Sequence, residues 1–261
     1  MRTAVFSDVH GNLTALEAVL ADIKQQAPDL IIFAGDLCLF GPRPADCIDL
    51  IQTETISAIY GNQDKPLHNQ PPLSDDIDRE EWELHHHTAN IINWTRSQLT
   101  VAQRAWLHNL PFQRRISPTI QPHDDLFIVH ANPDDVEQHI YPPEARQKEL
   151  YGEIRQPDND PDLVYMLRDL VCGILAFGHV HVPNIRQWQK TKLVNISSVS
   201  LAQDGDTRAK YGLFTWDGKS WQVAHRYVTY DLDAELALLA EHQMPQWEKY
   251  ARYLKTGRAP K

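Results

Sequence analysis

Short apolar runs alternate along the chain with longer stretches in which apolar residues recur at helical spacing. Residues 2–7 (RTAVFS) form the first run, and residues 12–26 then carry apolar side chains three and four positions apart. This order predicts a strand followed by an amphipathic helix. The run at 30–34 (LIIFA) is continuously apolar, as in a strand buried on both faces. Further strands are predicted at 55–60, 126–129 and 174–177, and further helices at 45–53, 80–99, 100–109 with Thr100 as N-cap, 161–171 and 231–254.

The remaining segments have weaker patterns. Residues 65–78 are rich in Pro, Asn and Asp and predict a loop, and residues 131–161 are polar, contain prolines and predict a mostly irregular, mobile segment. Between residues 182 and 230, Asp204-Gly205 and Asp217-Gly218 are turn signals that favour short antiparallel strands.

No linker divides the sequence into parts. We therefore expect a single domain over residues 1–261, with a helical insertion near 65–110 and a C-terminal helical segment near 231–254.

Composition and charge exclude several classes of protein. With 42% hydrophobic and 23% charged residues in 261, the chain has the composition of a globular protein. A formal net charge of −10 argues against an extended nucleic-acid surface and means that an anionic substrate would need bound cations. The first residues lack a signal-peptide core and no apolar run is long enough for a bilayer, so we expect a cytoplasmic protein with no membrane partner. Three cysteines without CxxC spacing indicate neither disulfides nor a thiolate metal site.

Polar side chains follow five of the predicted strands, at the point where each strand ends. These residues are Asp8, His10, Asp36, Asn62, His130, His179 and His181. Ligands of open α/β sheets bind at the carboxyl ends of strands, so the seven side chains can converge. Imidazole combined with carboxylate and amide oxygen suits Mn, Fe, Zn, Ni or Co better than Mg or Ca alone.

The spacing within these blocks supports a shared metal cluster. Asp8 and His10 are two residues apart, as are His179 and His181, and in a locally extended backbone such pairs point the same way. The two oxygens of Asp36 can bridge two ions about 3.5–4 Å apart. Each block alone is typical of turns and caps, but five such endings after apolar strands favour a metal site.

In chain order the blocks read DxH, GDxx, GNxx, H and GHxH, and this order resembles the calcineurin-like metallophosphoesterase superfamily. The stretches SDVHGNLTALEAVL, GDLCLFGPRP and VNISSVSLAQDGDTRAKYGLF are similar to its bacterial branch of small phosphodiesterases, related to the diadenosine tetraphosphatase and YfcE-type groups. The resemblance covers nearly the whole chain. It implies a four-layer αββα sandwich, an α/β fold in which helices flank two mixed β-sheets.

The resemblance also implies roles for the seven residues. Asp8, His10 and His181 would hold one metal, while Asn62, His130 and His179 would hold the other, with Asp36 as the bridge. The implied cofactor is a pair of divalent transition-metal ions, drawn from Mn, Fe, Zn, Ni and Co. The implied reaction is hydrolysis of a phosphate ester by metal-activated hydroxide. We expect a small phosphorylated substrate, either a phosphodiester or a nucleotide.

The GNxx block departs from the common family pattern, because Gln63 replaces the histidine that many members carry. Its amide can donate a hydrogen bond to a phosphoryl oxygen but cannot act as a general acid. Asn62, Gln63 and Asp64 are the predicted catalytic residues, although Asp64 without that histidine could only brace the loop. Lys65 and Arg43 are candidate phosphate contacts together with Asn62 and Gln63, against the alternative that both cations are solvated.

Other residues have weaker claims to a role in the site. Three consecutive histidines, His85 to His87, cannot all face one metal from a helix, so helix packing or solvent contact is expected of them, with a lid as the alternative. Arg208 is expected to form a structural ion pair near the site, with a phosphate contact as the alternative.

Three other functions remain open from sequence alone. The chain could be a Ser/Thr-type protein phosphatase, a non-catalytic scaffold on the same fold, or a protein that stores or senses metal without turnover. The intact set of seven ligands argues against a scaffold, and Gln63 is the one feature in its favour.

Overall fold

The computed structural model describes residues 1–67 and 79–259, with only the backbone of residues 79–87 included. The strands lie in two five-stranded sheets. The first sheet has the order β10-β9-β1-β2-β3, formed by β1 (Arg2–Phe6), β2 (Leu30–Ala34), β3 (Ser57–Ile59), β9 (Ala209–Trp216) and β10 (Trp221–Val228). The second has the order β4-β5-β6-β8-β7, formed by β4 (Gln113–Ile116), β5 (Leu126–Val129), β6 (Ile174–Phe177), β7 (Asn184–Trp188) and β8 (Thr191–Asn195).

Both sheets are mixed, with parallel strands at the centre or at one side. β1, β2 and β3 are parallel, and β9 and β10 add an antiparallel hairpin to the edge of β1. In the second sheet β5, β6 and β8 are parallel, while β4 and β7 are antiparallel edge strands. The predicted hairpin turn at Asp217-Gly218 joins β9 to β10, whereas Asp204-Gly205 lies in a loop before β9.

The helices are α1 (Leu13–Gln25), α2 (Pro44–Thr53), α3 (Arg79–Gln98), α4 (Val101–His108), α5 (Glu144–Tyr151), α6 (Pro161–Met166), α7 (Leu232–His242) and α8 (Trp247–Thr256). α4 begins at the predicted N-cap, where Thr100 and Gln103 form a reciprocal capping box. Within the described residues, no helix combines the length and the apolar character that crossing a bilayer requires.

The buried apolar side chains form three separate clusters. Val5, Ile128 and Phe214 belong to the cluster between the two sheets. A larger cluster joins the outer face of the first sheet to α1, α2 and the C-terminal helices, and a third packs α6 on the second sheet. The predicted four-layer αββα sandwich is therefore confirmed.

The structure differs from the sequence prediction between residues 131 and 161. This segment contains α5, so the expectation that it would be mostly irregular is wrong in part. The buried residue of α5 is the polar Gln147, whose amide donates to the carbonyl oxygens of Pro142 and Gln156 at 2.8 and 2.6 Å. A helix held by side-chain hydrogen bonds rather than by an apolar stripe has no periodicity for sequence analysis to detect.

Several element boundaries also differ. α6 ends at Met166 instead of residue 171, and the polar strand β4 (QRRI) was not predicted. The C-terminal segment is two helices, because Gln243 and Gln246 both have positive φ, at 46° and 63°, on either side of Pro245. Proline disfavours helical backbone in the residue before it, which accounts for the break. The predicted loop at 65–78 begins with a 3₁₀ turn at Lys65–Leu67, and its remainder lies outside the described residues.

A buried lysine organises the loop before β9. Lys210 is fully buried, and its Nζ donates to Asp204 Oδ1 at 3.1 Å and to the carbonyl oxygens of Asp206 and Arg208 at 2.6 and 3.2 Å. Burying an ammonium group is costly unless it is paired and hydrogen-bonded, and here all three donors have acceptors.

We expect Lys210→Met to lower the free energy of unfolding by about 3–5 kcal/mol, because it leaves the Asp204 carboxylate buried without its partner. The matched control is Lys24→Met, since Lys24 is 57% exposed and pairs with Glu54 on the surface. Exposed pairs contribute about 0–1 kcal/mol. Urea denaturation of both variants measures the difference, and equal losses would show that the buried network adds nothing.

Candidate metal centre

The seven predicted ligands lie at the carboxyl ends of five strands that come from both sheets. Asp8 and His10 follow β1, Asp36 follows β2 and Asn62 follows β3 in the first sheet; in the second sheet His130 follows β5, and His179 and His181 follow β6. The sandwich therefore places these strand ends around one site. The structure brings all seven side chains together, in two neighbouring groups.

The first group is Asp8, His10 and His181. His181 Nε2 lies 3.0 Å from Asp8 Oδ1, and His10 Nε2 lies 3.4 Å from His181 Nε2. One potential ligand atom from each residue lies within 4.8 Å of the others, which is the spacing that a common cation needs. All three residues are buried.

The second group is Asp36, His130 and His179, whose potential ligand atoms also lie within 4.8 Å of one another. Asn62 Oδ1 joins it at 3.0 Å from His130 Nε2, and Asp36 Oδ2 lies 3.4 Å from the same nitrogen. Asp36 is thus in contact with the ligands that the resemblance assigned to the second metal.

The backbone at these ligands is not extended. Asp8, His10, Asp36, His179 and His181 all have positive φ, between 51° and 63°. The prediction that spacing by two brings Asp8 and His10, or His179 and His181, together rested on an extended backbone, and that reason is wrong. Left-handed turns at the strand ends redirect the side chains instead. Such backbone is costly for residues other than glycine and clusters at functional sites.

Two glycines leave space for the carboxylates. A Cβ on Gly61 would overlap Asp36 Oδ1, and a Cβ on Gly178 would overlap both Asp8 Oδ2 and Ser7 Oγ. The glycines of the GNxx and GHxH blocks are therefore required by close approach of these side chains.

Hydrogen bonds from the other ring nitrogen fix the orientation of three histidines. The Nδ1 atoms of His10, His130 and His181 lie 3.1, 2.9 and 2.7 Å from the carbonyl oxygens of Leu39, Ala34 and Leu201. Donation from Nδ1 leaves the Nε2 lone pair for a metal, an arrangement common in metal sites. His179 differs, because its Nε2 lies 3.0 Å from the Glu137 carbonyl oxygen and leaves Nδ1 on the side of the site.

Burial and the two carboxylates set the protonation of these histidines. Burial lowers the pKa of His10 to about 4 and that of His179 to about 3, although Asp36 and Asp8 partly oppose it. Burial also lowers the pKa of His130, but Asp36 and Asp8 outweigh this effect and raise that pKa to about 10. His181 is raised in the same way, chiefly by Asp8. Without a metal, therefore, a proton on His130 offsets part of the buried negative charge, and Asp8 favours the charged form of His181.

The donor set fits divalent transition metals. It offers imidazole nitrogen, carboxylate oxygen and one amide oxygen, held on well-packed strand ends with their orientations fixed.

Asp64 has a positioning role. Its Oδ2 accepts from the backbone N–H groups of Asp36 and Gly61, both at 2.9 Å, and its Oδ1 accepts from Leu37 N at 3.0 Å. Both oxygens thus hold the turns that present Asp36 and Asn62. These contacts favour the alternative role of Asp64 as a brace for the loop, and a catalytic role for it stays a prediction.

The other residues predicted to contact phosphate lie in different places relative to the cavity. Gln63 lines the cavity beside the metal groups, and its backbone N–H donates to Asp36 Oδ1 at 2.8 Å. Arg43 instead donates to Thr14 Oγ1 at 2.6 Å and to the buried Glu235 at 3.2 Å, so the structure uses it to join α2 to α1 and α7. Lys65 lies over the Tyr60 ring at 5.8 Å, and neither cation is among the residues that line the cavity.

Arg208 lies outside the two ligand groups. Arg208 forms the predicted ion pair, with Asp206. The side chains of His85 to His87 lie outside the described residues. His139 lies beside the second group, with its ring centroid 4.5 Å from that of His179.

The cavity over the metal groups has a volume of about 310 Å³. Its lining includes residues that sequence analysis did not predict, namely Phe40, Leu201, Gln203, Lys249, Tyr250, Tyr253 and Ala259. Lys249, Tyr250 and Tyr253 belong to α8, which forms the wall facing the metal groups. No sequence signal separates these residues from those of an ordinary amphipathic helix.

The structure thus combines a two-sheet sandwich with a cluster of histidines and carboxylates at its strand ends. The family model for the calcineurin-like phosphoesterase superfamily domain matches residues 1–219. Because this match covers most of the chain, the protein belongs to that superfamily, as predicted.

Individual relatives agree with this assignment. The uncharacterized protein MJ0912 of Methanocaldococcus jannaschii is 26% identical over 261 residues, covering 94% of each chain. A metallophosphoesterase from Sphaerobacter thermophilus has a similar structure, with a TM-score of 0.70, 23% identity and 98% and 99% of the two chains covered. The hypothetical protein PH1004 from Pyrococcus horikoshii OT3 gives a TM-score of 0.76 at 17% identity, covering 98% of each chain. A putative diadenosine tetraphosphatase shares the fold more distantly, with a TM-score of 0.50, 16% identity and 87% and 94% covered.

We expect Gly61→Ala to weaken metal binding at least tenfold, because the added methyl group displaces Asp36. Gly152→Ala is the matched control: Gly152 has a φ of 77°, and a Cβ there meets no atom within 4 Å. The control variant should lower the free energy of unfolding by about 1–2 kcal/mol, because alanine is strained in left-handed backbone. It should leave metal affinity unchanged. Calorimetric titration with Mn²⁺ measures the affinities, and equal affinities in the two variants would contradict the role of Gly61.

Metal binding should release protons at pH 7. His130, with a pKa of about 10, is protonated in the metal-free protein and must lose its proton to bind, whereas His10 and His179 are already neutral. Affinity for the second group should therefore rise about tenfold per pH unit between pH 6 and 8. Titrations in buffers of different ionisation enthalpy count the protons, and no release would contradict this balance.

Proposed function

We propose that the protein is a dinuclear-metal-dependent phosphoesterase that hydrolyses small phosphate esters, either phosphodiesters or nucleotides. Membership of the phosphoesterase superfamily supports phosphoester hydrolysis as the class of reaction. The observation that carries the dinuclear centre is the pairing of two adjacent ligand groups, with the Asp36 carboxylate at their junction.

Contacts of Asp36 support its role as the bridge. Its carboxylate interacts with His130 of the second group and also raises the pKa of His10 in the first. Gln63 N–H and the Asp64-braced turn fix its orientation. A carboxylate held between two ligand groups can serve two ions at once.

When bound, two divalent ions would supply positive charge for a phosphoryl group and lower the pKa of the attacking water. They carry +4 against −2 from Asp8 and Asp36, which locally reverses the negative charge of the chain. The protein's own contribution is geometry: the strand-end turns hold the ligands before substrate arrives, so little reorganisation is needed during the reaction.

Gln63 stands at the cavity wall, where its amide can donate to a phosphoryl oxygen. An amide has no proton to transfer at neutral pH, so the enzyme would rely on another source to protonate a poor leaving group. This supports a role for Gln63 in binding and leaves Asn62 as both ligand and substrate contact.

The cavity supports a small substrate over a protein. Its volume of about 310 Å³ is at the lower end of the range for small-molecule sites, and α8 covers one side. A phosphorylated protein loop would have to displace that helix or approach from another direction. A cytoplasmic location and the assignment to the small phosphodiesterase branch remain predictions.

We expect Asp36→Asn to abolish turnover and to lower occupancy of both metal positions, because the amide replaces a shared carboxylate with one weak oxygen ligand. His181→Ala should empty chiefly the first position. The matched control is Asp169→Asn, since Asp169 is 90% exposed and lies outside the site. Metal analysis and hydrolysis of 4-nitrophenyl phosphate and bis(4-nitrophenyl) phosphate, with Mn, Fe, Zn, Ni, Co or Mg supplied, measure both effects.

The same experiment separates the alternatives. Metal binding without hydrolysis of any ester would indicate a scaffold or a metal-storage protein. Two tightly bound metals and normal turnover in Asp36→Asn would contradict the bridge.

A further inference from the structure

The last helix of the chain is part of the site. Tyr250 of α8 stacks on Phe40, with ring centroids 4.9 Å apart and planes at 20°. Phe40 in turn packs on the metal-ligand candidate His10, with centroids 5.3 Å apart. α8 is therefore joined to the candidate metal ligand His10 through Phe40, although it lies beyond residue 219, where the family match ends.

The position of α8 is fixed at its C-terminal end. Gly257 follows the helix with a φ of 59°, and its carbonyl oxygen accepts from Gly205 N at 2.9 Å. A Cβ on Gly257 would lie 2.9 Å from the backbone of Gly205, so the two segments are in close contact. Gly205 belongs to the loop that the buried Lys210 holds, which makes α8 a fixed wall of the cavity.

Tyr253 lines the cavity and carries a buried hydroxyl that forms no hydrogen bond with a described residue. The residue as a whole is 8% exposed. Gln203 lies close enough to the Tyr253 hydroxyl to act on its pKa in the downward direction, but the two groups do not form a hydrogen bond of ordinary geometry. Burial outweighs that effect and raises the pKa, so the group is a neutral O–H donor. Buried hydroxyls normally have partners, and a bound ligand would supply one here.

Lys249 adds a cation at the rim of the cavity. Its ammonium group is exposed and forms no ion pair with a described residue. Among the described cavity-lining residues it is the one lysine or arginine, and Asp36 is the one carboxylate. An exposed cation at the mouth of a site attracts anions and increases their rate of association.

We propose that α8 is the substrate-specificity wall, in which the Tyr253 hydroxyl donates to the alcohol portion of a small phosphoester and Lys249 attracts its negative charge. This proposal rests on the function proposed above. The cavity volume suits a substrate with one nucleoside-sized group beyond the phosphate, and that group, unlike the phosphate, would contact α8. Tyr253 and Lys249 would thus decide which ester binds, while the strand-end residues carry out the reaction common to all of them.

The test compares Tyr253→Phe and Lys249→Gln with controls that make the same chemical change elsewhere. Tyr165→Phe alters a tyrosine that is 62% exposed, and Lys255→Gln alters an exposed lysine in the last turn of α8. Each Mn²⁺-loaded protein is titrated calorimetrically with thymidine 5′-monophosphate and, separately, with inorganic phosphate. KM and kcat are measured with the 4-nitrophenyl ester of thymidine 5′-monophosphate and with 4-nitrophenyl phosphate.

For Tyr253→Phe we expect binding of thymidine monophosphate to weaken about 3- to 12-fold, the range for loss of one neutral hydrogen bond. Inorganic phosphate should bind as in the wild type, and the loss on the nucleotide ester should lie in KM rather than kcat. For Lys249→Gln we expect a loss of about 2- to 5-fold that disappears near 0.5 M salt, because an exposed charge is screened. Both controls should match the wild type.

Other outcomes overturn the proposal in distinguishable ways. If Tyr253→Phe binds both ligands normally while the wild type hydrolyses esters, α8 is not a specificity wall but the proposed function stands. If Tyr253→Phe weakens the binding of inorganic phosphate as much as that of the nucleotide, Tyr253 only supports the metal site. If the wild type neither hydrolyses nor binds either ester, the proposed function fails and the proposal fails with it.

Discussion

Two carboxylates buried where the ends of two sheets meet are the constraint on which the rest of the structure depends. Asp8 and Asp36 are at most 2% exposed, and a buried charge persists only when it is paired and hydrogen-bonded. Ser7 Oγ donates to Asp8 Oδ2 at 2.5 Å, as His179 N does at 3.0 Å, and Gln63 N donates to Asp36. When no metal is bound, His130 from the opposite sheet supplies part of the compensating charge. Each sheet therefore supplies charges that the other must neutralise.

This constraint explains backbone features that would otherwise only cost stability. Three features of the site are unfavourable when each is considered alone. They are left-handed backbone at five candidate ligands, two glycines in close contact with carboxylate oxygens, and a buried Asp64 that accepts three backbone N–H bonds. Burial and the nearby Asp36 raise the pKa of Asp64 to about 7, although its three donors favour the carboxylate. A cation bound at Asp36 would reduce that repulsion. The site is consequently built for positive charge that the polypeptide supplies only in part.

The sequence predicted the strand-end residues because each is adjacent to an apolar run, so the strand and its ligand are recognised together. It gave the correct grouping of Asp8 with His10 for an incorrect reason, since φ signs are not visible in residue spacing. α5 was missed because polar hydrogen bonds through Gln147 replace an apolar face. The wall of the cavity was missed for a different reason. Tyr250 and Tyr253 follow the pattern of helix core residues, and only the tertiary structure shows that they line a cavity and that the Tyr253 hydroxyl is buried there.

The two parts of the site depend on different kinds of structure. The candidate metal ligands lie at the carboxyl ends of strands in two hydrogen-bonded sheets, and the turns after β1 and β6 each carry two of them. α8 is joined to this framework through the stacked pair of Phe40 and Tyr250 and through the loop held by Lys210. Substitutions on α8 can therefore alter the cavity wall without moving the metal ligands. Membership of the superfamily therefore indicates the class of reaction, whereas the proposed choice of substrate depends on a helix that lies outside the matched residues.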